Sequence, residues 1–101
     1  MMRAAWIMRL KPGCEADYKE KHENIGPEML ELMKRQGVRN FSIFRDGLTL
    51  FAYQEREAPA DPAAPHDLVV RRWWRMMAPT METNPDGSPW QRPIEEVFHA
   101  D

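Results

Sequence analysis

The chain holds a single cysteine, Cys14, so no disulfide forms within it and a reducing, cytoplasmic setting is expected. It also lacks a long apolar run. The longest uncharged stretch in its middle, Gly47 to Gln54, falls far short of the roughly 20 residues that span a bilayer. Only five residues lie between Arg3 and Arg9, too few for the apolar part of a signal peptide. Neither a membrane partner nor export is therefore expected. Excess charge of one sign is missing as well: 14 basic and 16 acidic side chains leave a formal charge of −2, which gives no pull toward nucleic acid. With three histidines, no HExxH and no CxxC, no metal site is expected. No phosphate-cradling glycine loop and no GxSxG elbow occur. Glu95 and Glu96 are neighbours on an expected strand and face opposite ways, so they are not a catalytic carboxylate pair.

What remains is a chain of 101 residues with 43% hydrophobic and 30% charged residues, enough for one core and one domain over 1–101. Arg3 to Leu10 alternates as a strand and ends at Lys11-Pro12-Gly13. Glu15 to about Gln36 turns helical, with Tyr18, His22, Ile25, Met29 and Leu32 or Met33 at steps of three and four. Gly26-Pro27 predicts a kink or two abutting helices there, and Gly37 a C-cap. Val38 to Arg45 and Leu48 to Glu55 alternate again around the turn signal Asp46-Gly47. A proline-rich loop over 58–65 precedes a second helical segment, His66 to Met81. The irregular stretch from Thr83 to Pro93 leads to a last strand, Ile94 to His99. The order β-α-β-β-α-β is the ferredoxin-like α+β sandwich, two helices on one face of a four-stranded sheet. Its strands are apolar on both faces: Phe41 and Ile43 oppose Phe44, and Leu48 and Leu50 oppose Phe51 and Tyr53. A second chain covering the open face, giving a homodimer, is the expectation.

Three groups carry possible chemistry. Tyr18 and His22, four apart, share one face of a helix, the face continued by Ile25 and Met29. An imidazole beside a phenol in a partly apolar setting gives and takes protons near neutrality; a histidine there is equally a core residue bonded to a carbonyl. Trp73 and Trp74 are adjacent on a helix, so one can fill the core while the other borders a cavity. A tryptophan face suits the C–H side of a sugar ring. The segment Asn84-Pro85-Asp86-Gly87-Ser88-Pro89 is rich in turn formers and hydrogen-bonding side chains, and fits a cavity wall, a lid, a plain connector or a dimer arm.

Taken together, Met8 on the opening strand, YKEKHENIGPEM from Tyr18, NFSIF from Asn40, RRWWRMM, METNPDGSP and the ending EEVFH resemble the L-rhamnose mutarotases, nearly end to end. The resemblance implies ferredoxin-like subunits paired as a dimeric α+β barrel. It implies an isomerase that interconverts the α and β anomers of a 6-deoxy sugar with no metal and no cofactor, and a monosaccharide as the small-molecule partner. On matching positions it implies His22 as proton donor, with Tyr18, Phe41, Trp73 and Trp74 on the substrate; the loop residues Asn84 and Asp86 are further candidates. Two positions depart from the pattern: Phe41 stands where a tyrosine is usual, and Gly26 where a tryptophan is usual. Both bear on which sugar fits. Two other readings stay open at this level, a non-catalytic sugar- or small-ligand-binding domain of the same fold and a cofactor-free monooxygenase-like enzyme.

Overall fold

A computed structural model describes residues 1–59 and 66–101 of the chain; most of the expected 58–65 loop lies outside them. The first strand is β1, Met2–Arg9. It leads through Pro12 and Gly13 into α1, Glu15–Glu23, whose first turn carries Glu15 and Asp17 where acidic groups complement the helix dipole. The second helix, α2, spans Pro27–Arg35. The expected break between them is present and has a backbone cause. Gly26 sits at φ 86, ψ 161, a region essentially restricted to glycine, and Pro27 opens α2 at its first position. A Cβ at Gly26 would meet no atom within 4 Å, so the backbone angle, not space, sets the restriction.

β2, Val38–Asp46, and β3, Thr49–Arg56, form the expected hairpin, with Gly47 at φ 60 supplying the turn's first central residue. α3 is Leu68–Met77, capped by the Asp67 carboxylate, which accepts the Val69 N–H at 2.9 Å. The sequence predicts this helix as far as Met81, but it stops four residues earlier. Pro79 has no N–H to donate to the carbonyl four residues back and its ring crowds that turn, so Ala78–Thr80, with Ala78 still at helical angles, tightens into a 3₁₀ turn and Met81 is extended.

The last strand is also shorter than predicted. β4 is Arg92–Ile94, paired with Ala5 to Ile7, and residues 95–101 run on unpaired, not as a strand to His99. Arg3 meets this segment through its side chain, Nε to Glu96 Oε1 at 2.7 Å. Val97 and Phe98 are adjacent, so an extended chain cannot put both on one sheet face, and both stay exposed. The strand order β2-β3-β1-β4, antiparallel throughout, is the ferredoxin-like order.

The helices lie on the face that carries Trp6, Met8 and Leu10. Met8 pairs with Leu50 and Trp6 with Ala52, and these join Tyr18, Met77 and Met81 in one core. The other face carries the cross-strand pair Phe44 and Phe51, 68% and 39% exposed, which agrees with the predicted doubly apolar sheet. No described helix is long and apolar enough to cross a membrane.

Candidate active site

Between the helices and the sheet lies a cavity of about 950 Å³, at the upper end of the ~300–1,000 Å³ usual for small-molecule sites. Its floor is Trp6 and Met8 of β1, Phe41 and Ile43 of β2, and Leu50 of β3. Its walls are Tyr18 and His22 of α1, Met29 and Met33 of α2, and Trp73, Trp74 and Met77 of α3. The segment after α3 closes the rim with Met81, Pro89 and Gln91. The lining is largely apolar; its ionisable groups are Glu15, Tyr18, Lys19 and His22 of α1, with Lys34 of α2 and Arg45 of β2.

Tyr18 and His22 stand one helical turn apart, with ring centroids 4.3 Å apart and planes tilted by 37°. The His22 ring then meets Trp73 edge-on, at 5.1 Å and 87°. His22 Nδ1 lies 2.9 Å from the Tyr18 carbonyl oxygen. A carbonyl only accepts, so Nδ1 carries the proton, and in the neutral ring Nε2 keeps its lone pair. Burial pushes the imidazole pKa below its ordinary value, and the carbonyl bond only partly offsets this. His22 is thus bonded to a carbonyl, as a core histidine would be, and it also lines the cavity. Tyr18 is buried, which moves its phenol pKa well above the ordinary range; it remains a protonated donor at any working pH.

Trp73 and Trp74 both line the cavity, where the sequence predicts one in the core and one at the cavity. Trp73 also packs on the core, and Trp74 takes the exposed His66 edge-on at 4.5 Å. Phe41 lines the cavity with its centroid 6.0 Å from that of Trp6. Asn84 and Asp86 do not join this group. The Asn84 amide donates to Ser88 Oγ and to the Pro89 carbonyl, and the Asp86 carboxylate accepts the Ser88 N–H and hydroxyl. They shape a tight turn that holds Pro89 at the rim. The turn is tied to β1 in its own right: Glu82 N–H donates to the Arg9 carbonyl and Trp90 N–H to the Glu82 carbonyl. His99 is exposed and pairs with Asp101 at 2.8 Å, away from these residues.

Sequence reasoning did not single out Trp6 or Gln91. Trp6 has the strand parity of buried Met8, which was the available signal; Gln91 has none. Among the described residues no group of three or more His, Cys, Asp or Glu side chains could hold a metal ion.

The family model described as L-rhamnose mutarotase matches residues 3–100 of the chain. An L-rhamnose mutarotase of Bacteroides thetaiotaomicron is 44% identical, with all of both chains covered. One from Listeria monocytogenes is also 44% identical, over 98% of each chain. The crystal structure of the L-rhamnose mutarotase FA22100 from Formosa agariphila superposes with a TM-score of 0.90, at 41% identity and full coverage of both chains.

Proposed function

This chain belongs to the L-rhamnose mutarotase family, and on that footing we propose that it is an isomerase that interconverts the α and β anomers of L-rhamnose or a related deoxy sugar. The observation that carries the mechanism is that His22 lines a cavity walled by Tyr18 and Trp73 with Nδ1 bonded to the Tyr18 carbonyl, leaving Nε2 without a hydrogen-bond partner among the described residues. Ring opening removes a proton from the anomeric hydroxyl, breaks the bond between C1 and the ring oxygen, and delivers a proton to that oxygen. Both oxygens are attached to C1, so one imidazole reaches both. Nε2 takes the hydroxyl proton as C1 becomes an aldehyde, and the resulting imidazolium gives it to the ring oxygen. Rotation about C1–C2 presents the other carbonyl face, and the same steps in reverse close the second anomer. Tyr18, always protonated, holds a sugar hydroxyl as a donor. Trp73 and Trp74 cover the apolar side of the ring and its methyl group. Asn84 and Asp86 act through the turn they build.

Saturation-transfer proton NMR on equilibrated L-rhamnose tests the activity, with L-fucose, D-ribose and D-glucose in parallel. Faster exchange of an anomeric pair in the presence of the protein supports it; no effect on any sugar by folded protein removes it in favour of a binding domain. The pH profile tests the role of His22. The neutral ring is the working base, and burial lowers its pKa. Activity per enzyme at low sugar should therefore be flat through neutrality and fall on the acid side with an inflection below 6.5, the ordinary histidine value. An inflection above that value would contradict a buried base.

A second copy is proposed to cover the open sheet face, as the exposed Phe44–Phe51 pair and the nearby Ile94 need an apolar partner to leave water. Light scattering should give twice the 11.9 kDa chain mass, and Phe51→Glu should give the monomer. A monomeric wild type would contradict this. With its lone free thiol at Cys14, the protein is proposed to work in the cytoplasm.

A further inference from the structure

We propose that Asn40 is a positioning residue of the sugar pocket: its left-handed backbone forms the bulge that turns Phe41 into the cavity, and Glu55 holds that bulge in place. The proposal rests on the sugar reading of the pocket given above. It starts from strand parity. Side chains of a regular strand alternate, so residues three apart face opposite sides. Yet Val38 and Phe41, three apart on β2, both line the cavity, and so do Asn40 between them and Ile43 beyond. The pairing register shows how. Arg39 stands opposite Glu55 and Ser42 opposite Tyr53, which leaves Asn40 and Phe41 together facing Gln54. This is a bulge, one extra residue that resets the alternation.

Asn40 absorbs the extra residue at φ 52, the only positive φ outside glycine among the described residues. Such bulges commonly place glycine there; asparagine is among the few side chains that enter this region at modest cost. Its side chain adds what glycine cannot. Asn40 Nδ2 donates to Glu55 Oε1 at 2.9 Å, and Glu55 Oε2 accepts the Tyr53 hydroxyl at 2.7 Å. Held by two donors, the Glu55 carboxyl lies below its usual range and remains an acceptor. With regular pairing, Phe41 and Ile43 would leave the cavity or Val38 would. With the bulge, Phe41 packs against Trp6 and completes the floor beneath the tryptophans of α3.

Asn40→Ala disfavours the left-handed angle and removes the amide; Asn40→Gly keeps the angle and removes only the amide. The expected result for Asn40→Ala is a KM for L-rhamnose raised roughly tenfold with kcat held within about twofold, since a displaced floor weakens binding without touching His22. The nuclear Overhauser contact between the Phe41 and Trp6 rings should disappear. Asn40→Gly should restore the contact and most of the affinity, which a general loss of stability would not do. Should Asn40→Ala fail to fold, Glu55→Ala, which frees the Asn40 amide, should raise KM in the same direction. An unchanged KM and an intact ring contact in Asn40→Ala, or a fall in kcat with KM unchanged, would overturn the proposal and leave the sugar reading standing. A wild type that speeds no sugar's exchange would overturn the sugar reading, and with it the assignment to a sugar pocket. The ring contact tells the two failures apart.

Discussion

Replacing His22 with alanine should slow protein-dependent anomer exchange by about 10²–10⁴-fold, the usual contribution of one positioned acid–base group. The loss should be in kcat. Tyr18, Trp73 and Trp74 still line the cavity and still bind the ring, so sugar affinity should change little. Tyr18 is held protonated by burial and makes no base, and the carboxylate of Glu15, also in the lining, accepts the Gly13 N–H at 3.0 Å. His22→Asn is the informative companion. Its amide can bond the Tyr18 carbonyl as Nδ1 does, just as Asn24 bonds the Glu20 carbonyl, but it offers no titrating nitrogen, so it should be as inactive as alanine. Saturation transfer at several sugar concentrations separates kcat from KM. Activity above a tenth of wild type in either variant would remove His22 from the mechanism.

Leu50→Ala should cost about 2–5 kcal/mol, the range for truncating a fully buried leucine in a core that collapses incompletely. Leu50 is 1% exposed, sits opposite Met8 on the central strand pair, and packs in the core with Tyr18 and Met77. Urea titration at fixed protein concentration should show an earlier midpoint with an unchanged slope. For a domain of this size the thermal midpoint should fall by about 10 °C or more. Because Leu50 also forms the cavity floor, the variant should bind sugar more weakly even where it is fully folded. Leu48→Ala is the control: Leu48 is in the hairpin turn and 39% exposed, so its truncation should have a much smaller effect, about 0.5 kcal/mol or less. Equal effects at the two positions would contradict the burial that separates them.

The element order and strand topology were legible in the sequence because period-two and period-3.6 patterns alternate cleanly and Gly26-Pro27 and Asp46-Gly47 punctuate them. The ends of α3 and β4 were not. Pro79 removes one N–H from the helical ladder, and the adjacent Val97 and Phe98 break a pattern that Ile94 begins; both effects are local and easily outvoted by an apolar run. In the site, the four-residue step of Tyr18 and His22 was readable, since helical spacing dictates it. The face taken by Trp74 was not, because it depends on how α3 packs. Nor was the bulge at Asn40: an extra residue in a strand leaves no trace in composition, and only the cross-strand register reveals it.

The imidazole proposed to handle protons takes its tautomer from the backbone of its own helix, one turn back, within nine residues. Beyond Tyr18 and its neighbours on α1, the surfaces proposed to touch a ligand come from three strands, two other helices and a rim segment. On the proposed function, acid–base chemistry is then encoded in one helix and most of the substrate's outline elsewhere in the chain. Changes at Phe41, Met33 or Trp74 should redraw the outline of the accepted molecule while the helical turn proposed to move the proton passes on intact.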